Sequence, residues 1–424
     1  MVQIKPFPAI TYNQDKVKKL SAVVCPPYDV ISTKKQDYYY QQDPNNFIRV
    51  LLRKDNPSED KYKVSAETYR GWKRDKVFIQ ENEPALYFYS QQYNVRGEKK
   101  VRYGFIALLH LGEDRPSVYA HENTRPAPKE DRLKLLSQVK ANLSPIFAVF
   151  TDKKRVIQLT FKEKLKDKVP FIQLVDDEKT EHKLWRVNDP KAIRWIQECM
   201  LKEDVFIADG HHRYEVSRLY RDEIKKGSAK LSAEDPLNYI MCYFTDGKAR
   251  DLTIFPIHRI VNAGTIIMEE LLKKLQEYFY VEEIKDKAKF FFLLEKAGQS
   301  EHSIGVYKDK RYWLLRLKNI KILKGLAADK SYEYVSLDVS ILNYIIFDKV
   351  MGIDLADKGH IDFNSNAQEL IEKVDNDSNL IVFFLNSVKI EQIIRIALGG
   401  EKMPPKSTYF YPKVLSGLVI NSLE

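Results

Sequence analysis

The 424-residue sequence is poor in the residues that mark specialised folds: it holds 3 cysteines, 16 glycines and 18 prolines. Cys25, Cys199 and Cys242 stand far apart and form no C-x-x-C pair. This excludes a secreted disulfide framework and a cysteine-based zinc site. So little glycine and proline excludes collagen-like and low-complexity chains. Apolar runs such as Phe290–Leu294 and Leu380–Leu385 are far too short to span a bilayer. Met1 to Ile10 has no apolar stretch of signal-peptide length. There is no long block of one charge sign, no internal repeat and no Gly/Ser-rich linker. H-E-x-x-H, G-x-S-x-G, G-x-G-x-x-G and the protein-kinase set are absent too, which leaves zincin, α/β-hydrolase, dinucleotide-binding and protein-kinase readings without support. The expectation is a cytoplasmic protein with no membrane segment.

Hydrophobic residues make up 44% and charged residues 30%, the balance of a chain that buries a core without staples. At roughly 100–200 residues per domain, two to four domains are expected. Lys plus Arg number 69 against 59 Asp plus Glu, a net charge of +10. That excess permits a nucleic-acid partner or an anionic small molecule. No helix-turn-helix pattern or basic tail is visible, which argues for the small molecule.

Strand-like and helix-like stretches alternate, which predicts an α+β fold. Helices are expected over 60–76, 129–142, 190–202, 212–226, 264–278 and 366–374. Strands are expected over 86–93 and 101–110 as a hairpin, and over 146–150, 205–208, 238–245, 253–260, 379–385 and 408–420. Residues 156–188 read as strands and turns, and 283–332 is the least informative stretch. Soft boundaries near 155 and 262 divide the chain into three segments, 1–155, 156–262 and 263–424.

The strongest local signal runs from Asp204 to Glu215. A short apolar strand ends at Asp209-Gly210, and a helix begins at once with His211, His212 and Arg213. Gly210 permits a tight turn and close approach of a ligand. The free N–H groups and positive end of the helix suit an anion, and Arg213 is a forked cation suited to phosphate oxygens. The plain alternative is that Asp209 only caps the helix. Cations nevertheless oppose the dipole in a bare first turn, which favours a ligand. Adjacent histidines point about 100° apart on a helix, so His211 and His212 do not readily chelate one metal.

A second signal is His121 to Arg132, where a loop stiffened by Pro126 and Pro128 brings Arg125, Lys129 and Arg132 to a helix start. Glu130 and Asp131 could make this a self-contained cap; otherwise it clamps a phosphorylated ligand, with Glu122 a candidate acid/base or metal ligand. A third is Met403 to Lys413. It lacks the P-loop glycine spacing, yet Lys406 and Ser407 could hold an anion. Pro26-Pro27 forces extended backbone and presents Tyr28 and Asp29 as candidates for substrate contact.

Gly210-His211-His212-Arg213-Tyr214-Glu215 resembles the ParB/sulfiredoxin superfamily, in which sulfiredoxins read Gly-Cys-His-Arg-Tyr-Glu. The resemblance implies a ParB/sulfiredoxin-like mixed α/β core, elaborated at both ends. It implies phosphate contacts at Gly210, His212 and Arg213. The reactive cysteine falls at His211, so sulfinic-acid repair cannot follow the same route; His211 remains a candidate catalytic position. Kinases of free serine in this superfamily carry a similar Asp-Gly-His motif. At full length the chain resembles a large bacterial family known as domain of unknown function 1015. That resemblance rests on Pro26–Ile31, Pro128–Arg132, Asn142–Phe147, Ala208–Tyr214 and Met403–Lys413. Cys25 replaces the usual alanine there, so it is not expected to be catalytic.

Together these imply a nucleotide-dependent phosphotransferase on a small hydroxyl compound, with free L-serine the best acceptor and ATP or ADP with Mg²⁺ as donor. Gly210, His212 and Arg213 would cradle phosphates, flanked by Arg125, Lys129, Arg132, Lys406 and Ser407. Asp209 would hold a nucleotide-borne Mg²⁺ or take the hydroxyl proton, with Glu122 the rival base. The alternatives are a ParB-like nucleotide switch on DNA and a non-catalytic binding protein. The three motifs are expected to meet in one cleft.

Overall fold

A computed structural model describes residues 1–112, 117–124, 126–227, 231–264, 266–327, 329–353 and 361–424. The fold is mixed α and β, as the alternating pattern predicts. The chain forms two compact units, one of residues 1–120, 124–252 and 412–424, the other of residues 121–123 and 253–411.

The first unit is built on a nine-stranded sheet. Across it run Val118–Ala120, Val205–Asp209, Ile146–Phe150, Tyr239–Asp246, Glu98–His110, Leu86–Val95, Glu181–Val187 and Ile172–Val175, with Ile4–Lys5 paired to Glu98–His110. The expected hairpin is present as Leu86–Val95 and Glu98–His110. Its turn is Arg96–Gly97, with φ of 52° and 83°. Two positive φ values in a two-residue loop match the right-handed strand twist. Phe88, Phe105, Ile146, Phe150, Ile207 and Phe244 belong to one buried cluster beneath the helix Pro190–Met200 and the turn after Val156.

The helix Lys61–Arg74 starts at Asp60, whose carboxylate accepts the N–H groups of Tyr62 and Lys63. The helix His211–Gly227 follows Val205–Asp209 directly. The helix expected over 129–142 is Pro126–Val139, since proline is tolerated in a first turn.

Three expectations need correction. Residues 156–165 are helical, not strand: Val156–Thr160 runs into a π-turn, Phe161–Leu165. The Asp152 carboxylate accepts Val156 N–H at 2.7 Å and Ile157 N–H at 3.0 Å, which starts the helix despite its β-branched residues. The expected strand 408–420 is only Tyr409–Tyr411; Pro412 cannot donate to a ladder, and Gly417 takes φ 89°. Position 155 lies inside the first unit, because strands on both sides of it share one sheet, and the later break falls between Leu252 and Thr253.

The second unit has a six-stranded sheet in the order Phe279–Ile284, Arg311–Leu317, Ser303–Lys308, Leu380–Phe384, His258–Asn262 and Ile361–Asn364. Two of its six strands, Ser303–Lys308 and Arg311–Leu317, come from the stretch 283–332, the least informative part of the sequence. Phe290 and Leu294, from the helix Lys287–Ala297, pack with Tyr307, Leu314, Val382 and Phe384 into a separate core. Among the described residues, no helix is long and apolar enough to cross a membrane.

Candidate functional site

The Val205–Asp209 strand is buried along Val205 to Ala208 and ends at Asp209, just before the His211–Gly227 helix. Gly210 turns the chain at φ 88°. A Cβ there would lie 2.9 Å from Arg213 Cζ and 3.0 Å from Arg213 Nε, so only glycine lets the guanidinium fold back over the turn. Arg213 Nη2 then meets Asp209 Oδ2 at 2.5 Å. Arg213 Nη1 donates to the carbonyl of Pro145 at 2.5 Å. Two of the resemblance stretches therefore meet at this guanidinium.

The second Asp209 oxygen, Oδ1, is taken by Lys413 Nζ at 2.5 Å. Burial alone would raise the Asp209 carboxyl, but Lys413 first and Arg213 next hold it well below the usual carboxylate range. The charge-assisted bonds of one carboxylate thus hold two cations at a helix start. Arg213 Nε is buried and has no hydrogen-bond partner among the described residues, an unmet donor on a guanidinium.

Arg132 and Arg213 line one small recess of about 60 Å³, with Tyr28, Ser144, Ser217 and Val216 among its walls. Most of the Arg132 guanidinium is committed. Nη1 donates to the Leu51 carbonyl at 2.9 Å, and Nε donates to Asp131 Oδ2 at 2.8 Å, the oxygen that Nη2 also meets. Its face covers the Tyr28 ring at 4.2 Å. Burial, then the Asp29 charge, push the Tyr28 phenol up to about 12, so it stays protonated at neutral pH. Asp29 itself is exposed. Lys129 Nζ lies 3.2 Å from Glu215 Oε2, which also accepts the Thr124 hydroxyl at 2.5 Å. His211 is buried and His212 half-buried. Arg125 lies outside the described residues.

The remaining sequence candidates are in the second unit. Glu122 Oε1 accepts the Lys406 N–H at 3.4 Å, and Glu122 bridges to Met403. Lys406 has φ 57°, and the buried Ser407 hydroxyl donates to the Pro404 carbonyl at 2.5 Å. The third motif is thus divided: Lys413 belongs to the Asp209 cluster and Lys406 with Ser407 to Glu122. Lys413 ends the third sequence motif, where no role was expected of it. Nothing local marks it, because 204 residues separate it from Asp209.

The described residues hold no preformed metal cage and, at Cys25, no thiolate. No group of three His, Cys, Asp or Glu among them could hold a metal. Both Asp209 oxygens are engaged, so a magnesium ion there would have to displace Lys413 or Arg213. Cys25 is buried, and burial followed by the Asp177 charge pushes its thiol up, so it carries no thiolate at neutral pH.

A family model described as a protein of unknown function (DUF1015) matches residues 4–340, so the chain belongs to that family. Among solved structures, a free serine kinase in complex with AMP is similar at 14% identity and TM-score 0.35, covering 73% of this chain and 91% of that one. A C-terminally truncated SbnI from Staphylococcus aureus is similar at 10% identity and TM-score 0.37, covering 74% and 86%. A conserved hypothetical protein from Pyrococcus furiosus is similar at 13% identity and TM-score 0.33, covering 73% and 92%. No curated protein matches.

Proposed function

We propose that the chain is a nucleotide-dependent phosphotransferase acting on the hydroxyl of a small metabolite, with free L-serine the first acceptor to test and ATP or ADP as donor. One observation carries this reading: a buried carboxylate holds two cations at a glycine turn, where a helix starts and Arg213 keeps an unmet donor. Asp209, Arg213 and Lys413 together sum to one positive charge. A phosphate group fits there better than the carboxylate, because it offers more oxygens and more charge to the same donors. The Asp-Gly-His-His-Arg resemblance to serine kinases supports the same assignment.

The transfer needs positioning and charge neutralisation more than covalent chemistry by the protein. The acceptor oxygen attacks the terminal phosphorus, the bond to the nucleotide oxygen breaks, and the hydroxyl proton leaves to a base. While both cations sit on Asp209 it is a weak base. Phosphate oxygens that draw Lys413 and Arg213 away leave a desolvated carboxylate, whose proton affinity rises. Asp209 then becomes the base in the same event that binds the donor. Glu122, the other base that the sequence offers, belongs to the second unit with Lys406 and Ser407. Any magnesium would arrive on the nucleotide, and no step is assigned to it.

The test is phosphorus NMR of the purified protein with Mg²⁺ and ATP or ADP, with and without L-serine. The reading expects a new phosphomonoester signal that needs serine and disappears in Asp209→Ala. Nucleotide hydrolysis without that signal would keep the phosphate site and move the assignment to another acceptor or to a nucleotide switch. An unchanged spectrum from folded protein, with no binding of either nucleotide, would overturn it.

A further inference from the structure

We infer that Gln91 and Arg102 are positioning residues that set Lys413 on Asp209; the inference rests on the phosphate-site reading only for its functional consequence. Lys413 sits just beyond the short strand Tyr409–Tyr411, in backbone that belongs to no ladder. Its neighbour Pro412 has no N–H to offer. Something else must fix that backbone if a four-carbon side chain is to reach one carboxylate oxygen reproducibly.

Two side chains do so. Gln91 Nε2 donates to the Lys413 carbonyl at 2.9 Å. Arg102 Nη2 donates to the Pro412 carbonyl at 2.6 Å and also to Gln91 Oε1. Gln91 and Arg102 are directly opposite each other in the hairpin register, and both are fully buried. The amide and guanidinium form a linked pair that grips two consecutive carbonyls.

The same sheet also carries the other end of the contact. Arg102 lies over the Phe147 ring at 4.6 Å and the Tyr243 ring at 5.5 Å. Phe147 is the register partner of Tyr243 on one side and of Asp209 on the other. Gly104 makes room for this packing: a Cβ there would fall 2.4 Å from the Tyr243 ring. Asp209 and the anchor of Lys413 are therefore both referenced to one rigid sheet. A buried arginine and glutamine are expensive in place of apolar side chains. Here they hold the irregular backbone that carries Lys413.

The experiment reads Lys413 directly. A lysine ammonium locked in a buried ion pair exchanges slowly enough to give a ¹H–¹⁵N NMR signal, assigned by its loss in Lys413→Met. Gln91→Met and Arg102→Lys should abolish that signal or move it to the solvent-averaged position. Each should weaken ADP binding by about tenfold or more. Gln91→Glu keeps the shape while removing the donor to Lys413, and serves if the methionine variant does not fold. Tyr87→Phe is the control: its hydroxyl binds Phe7 and Ala9 backbone from the same strand, so its loss destabilises without touching residues 412–413. That variant should keep both the signal and the affinity. If the wild type shows the locked signal, loses it in the Gln91 and Arg102 variants, yet binds no ADP, the phosphotransferase reading fails and the clamp stands. A signal that persists in folded Gln91 and Arg102 variants, or is lost equally in Tyr87→Phe, would overturn the inference.

Discussion

In the first unit Asp209, its side chain 10% exposed, sits between Lys413 and Arg213, each at 2.5 Å, whereas in the second Arg259 is buried against carbonyl oxygens alone. Arg259 donates to Ile257 at 2.6 Å, to Lys406 at 3.0 Å and to Pro405 at 3.3 Å, and stacks on Phe363 at 4.5 Å. Among the described residues no carboxylate pairs with it. Its neighbour His258 accepts the Leu385 N–H through Nδ1 at 3.1 Å. The consequences for charge are opposite. In the first unit, paired cations keep a buried acid ionised. In the second, burial pushes Arg259 down to about 9, and burial followed by the Arg259 charge pushes His258 down to about 3. Burial favours neutral forms unless an opposite charge shares the site. The first arrangement keeps charges of both signs in the interior; the second uses a buried cation to hold a loop through its carbonyls.

The largest test of this contrast is pH. His258 is neutral in the folded protein, so the unfolded chain binds an extra proton below its ordinary value near 6.5. Stability from this residue is complete above that value and falls as pH drops toward 3, by roughly 5 kcal/mol in all. The Asp209 contribution has the opposite history: it persists above the usual carboxylate range and is lost only as pH falls through its lowered folded value. Between about pH 6 and 4 the second unit should therefore weaken first. Indole N–H signals of Trp313 in the second unit and Trp72 in the first report this. His258→Gln, which keeps an acceptor for Leu385, should flatten the acid limb of Trp313 alone. Coincident acid transitions that the variant leaves unmoved would refute the contrast.

Next in size are charge deletions. Asp209→Ala leaves two buried cations facing each other and should cost about 3–5 kcal/mol in denaturant unfolding, with loss of nucleotide binding. Adding Lys413→Met should recover part of that stability but none of the binding. Arg259→Met removes donors from three carbonyls but strands no charge, so about 1–3 kcal/mol is expected. Equal costs at the two sites would break the comparison.

The smallest effect is expected at Gly210. Alanine there must hold a left-handed φ and push Arg213 aside, at about 1–2 kcal/mol. Its sharper signature is weaker nucleotide binding, measured by calorimetry, with Lys413 still in place. Unchanged affinity would show that Arg213 need not fold over the turn.

Much of this was legible in the chain. Turn and cap residues, with periodic apolar spacing, marked the hairpin, the Lys61–Arg74 and Pro190–Met200 helices, and the strand-to-helix step at Asp209-Gly210. The helix over 156–165 was not legible, since its start depends on Asp152 reaching forward to Val156 and Ile157. Nor was the strand-rich stretch after 283, where mixed Lys, Phe and Leu fit either element until a sheet partner exists. At the site, Asp209, Gly210 and Arg213 were readable because they are neighbours in sequence. Lys413, Gln91 and Arg102 were not, because each acts across the sheet rather than along the chain.

Local order thus determined the chemistry on offer: a carboxylate, a glycine turn, a helix start and a nearby arginine, set by spacing within a few residues. Which cation completes the site, which arginine is spent on structure, and which motif joins which unit were decided only by tertiary structure. Those outcomes depend on contacts between residues hundreds of positions apart, and burial there sets the energy of every charge.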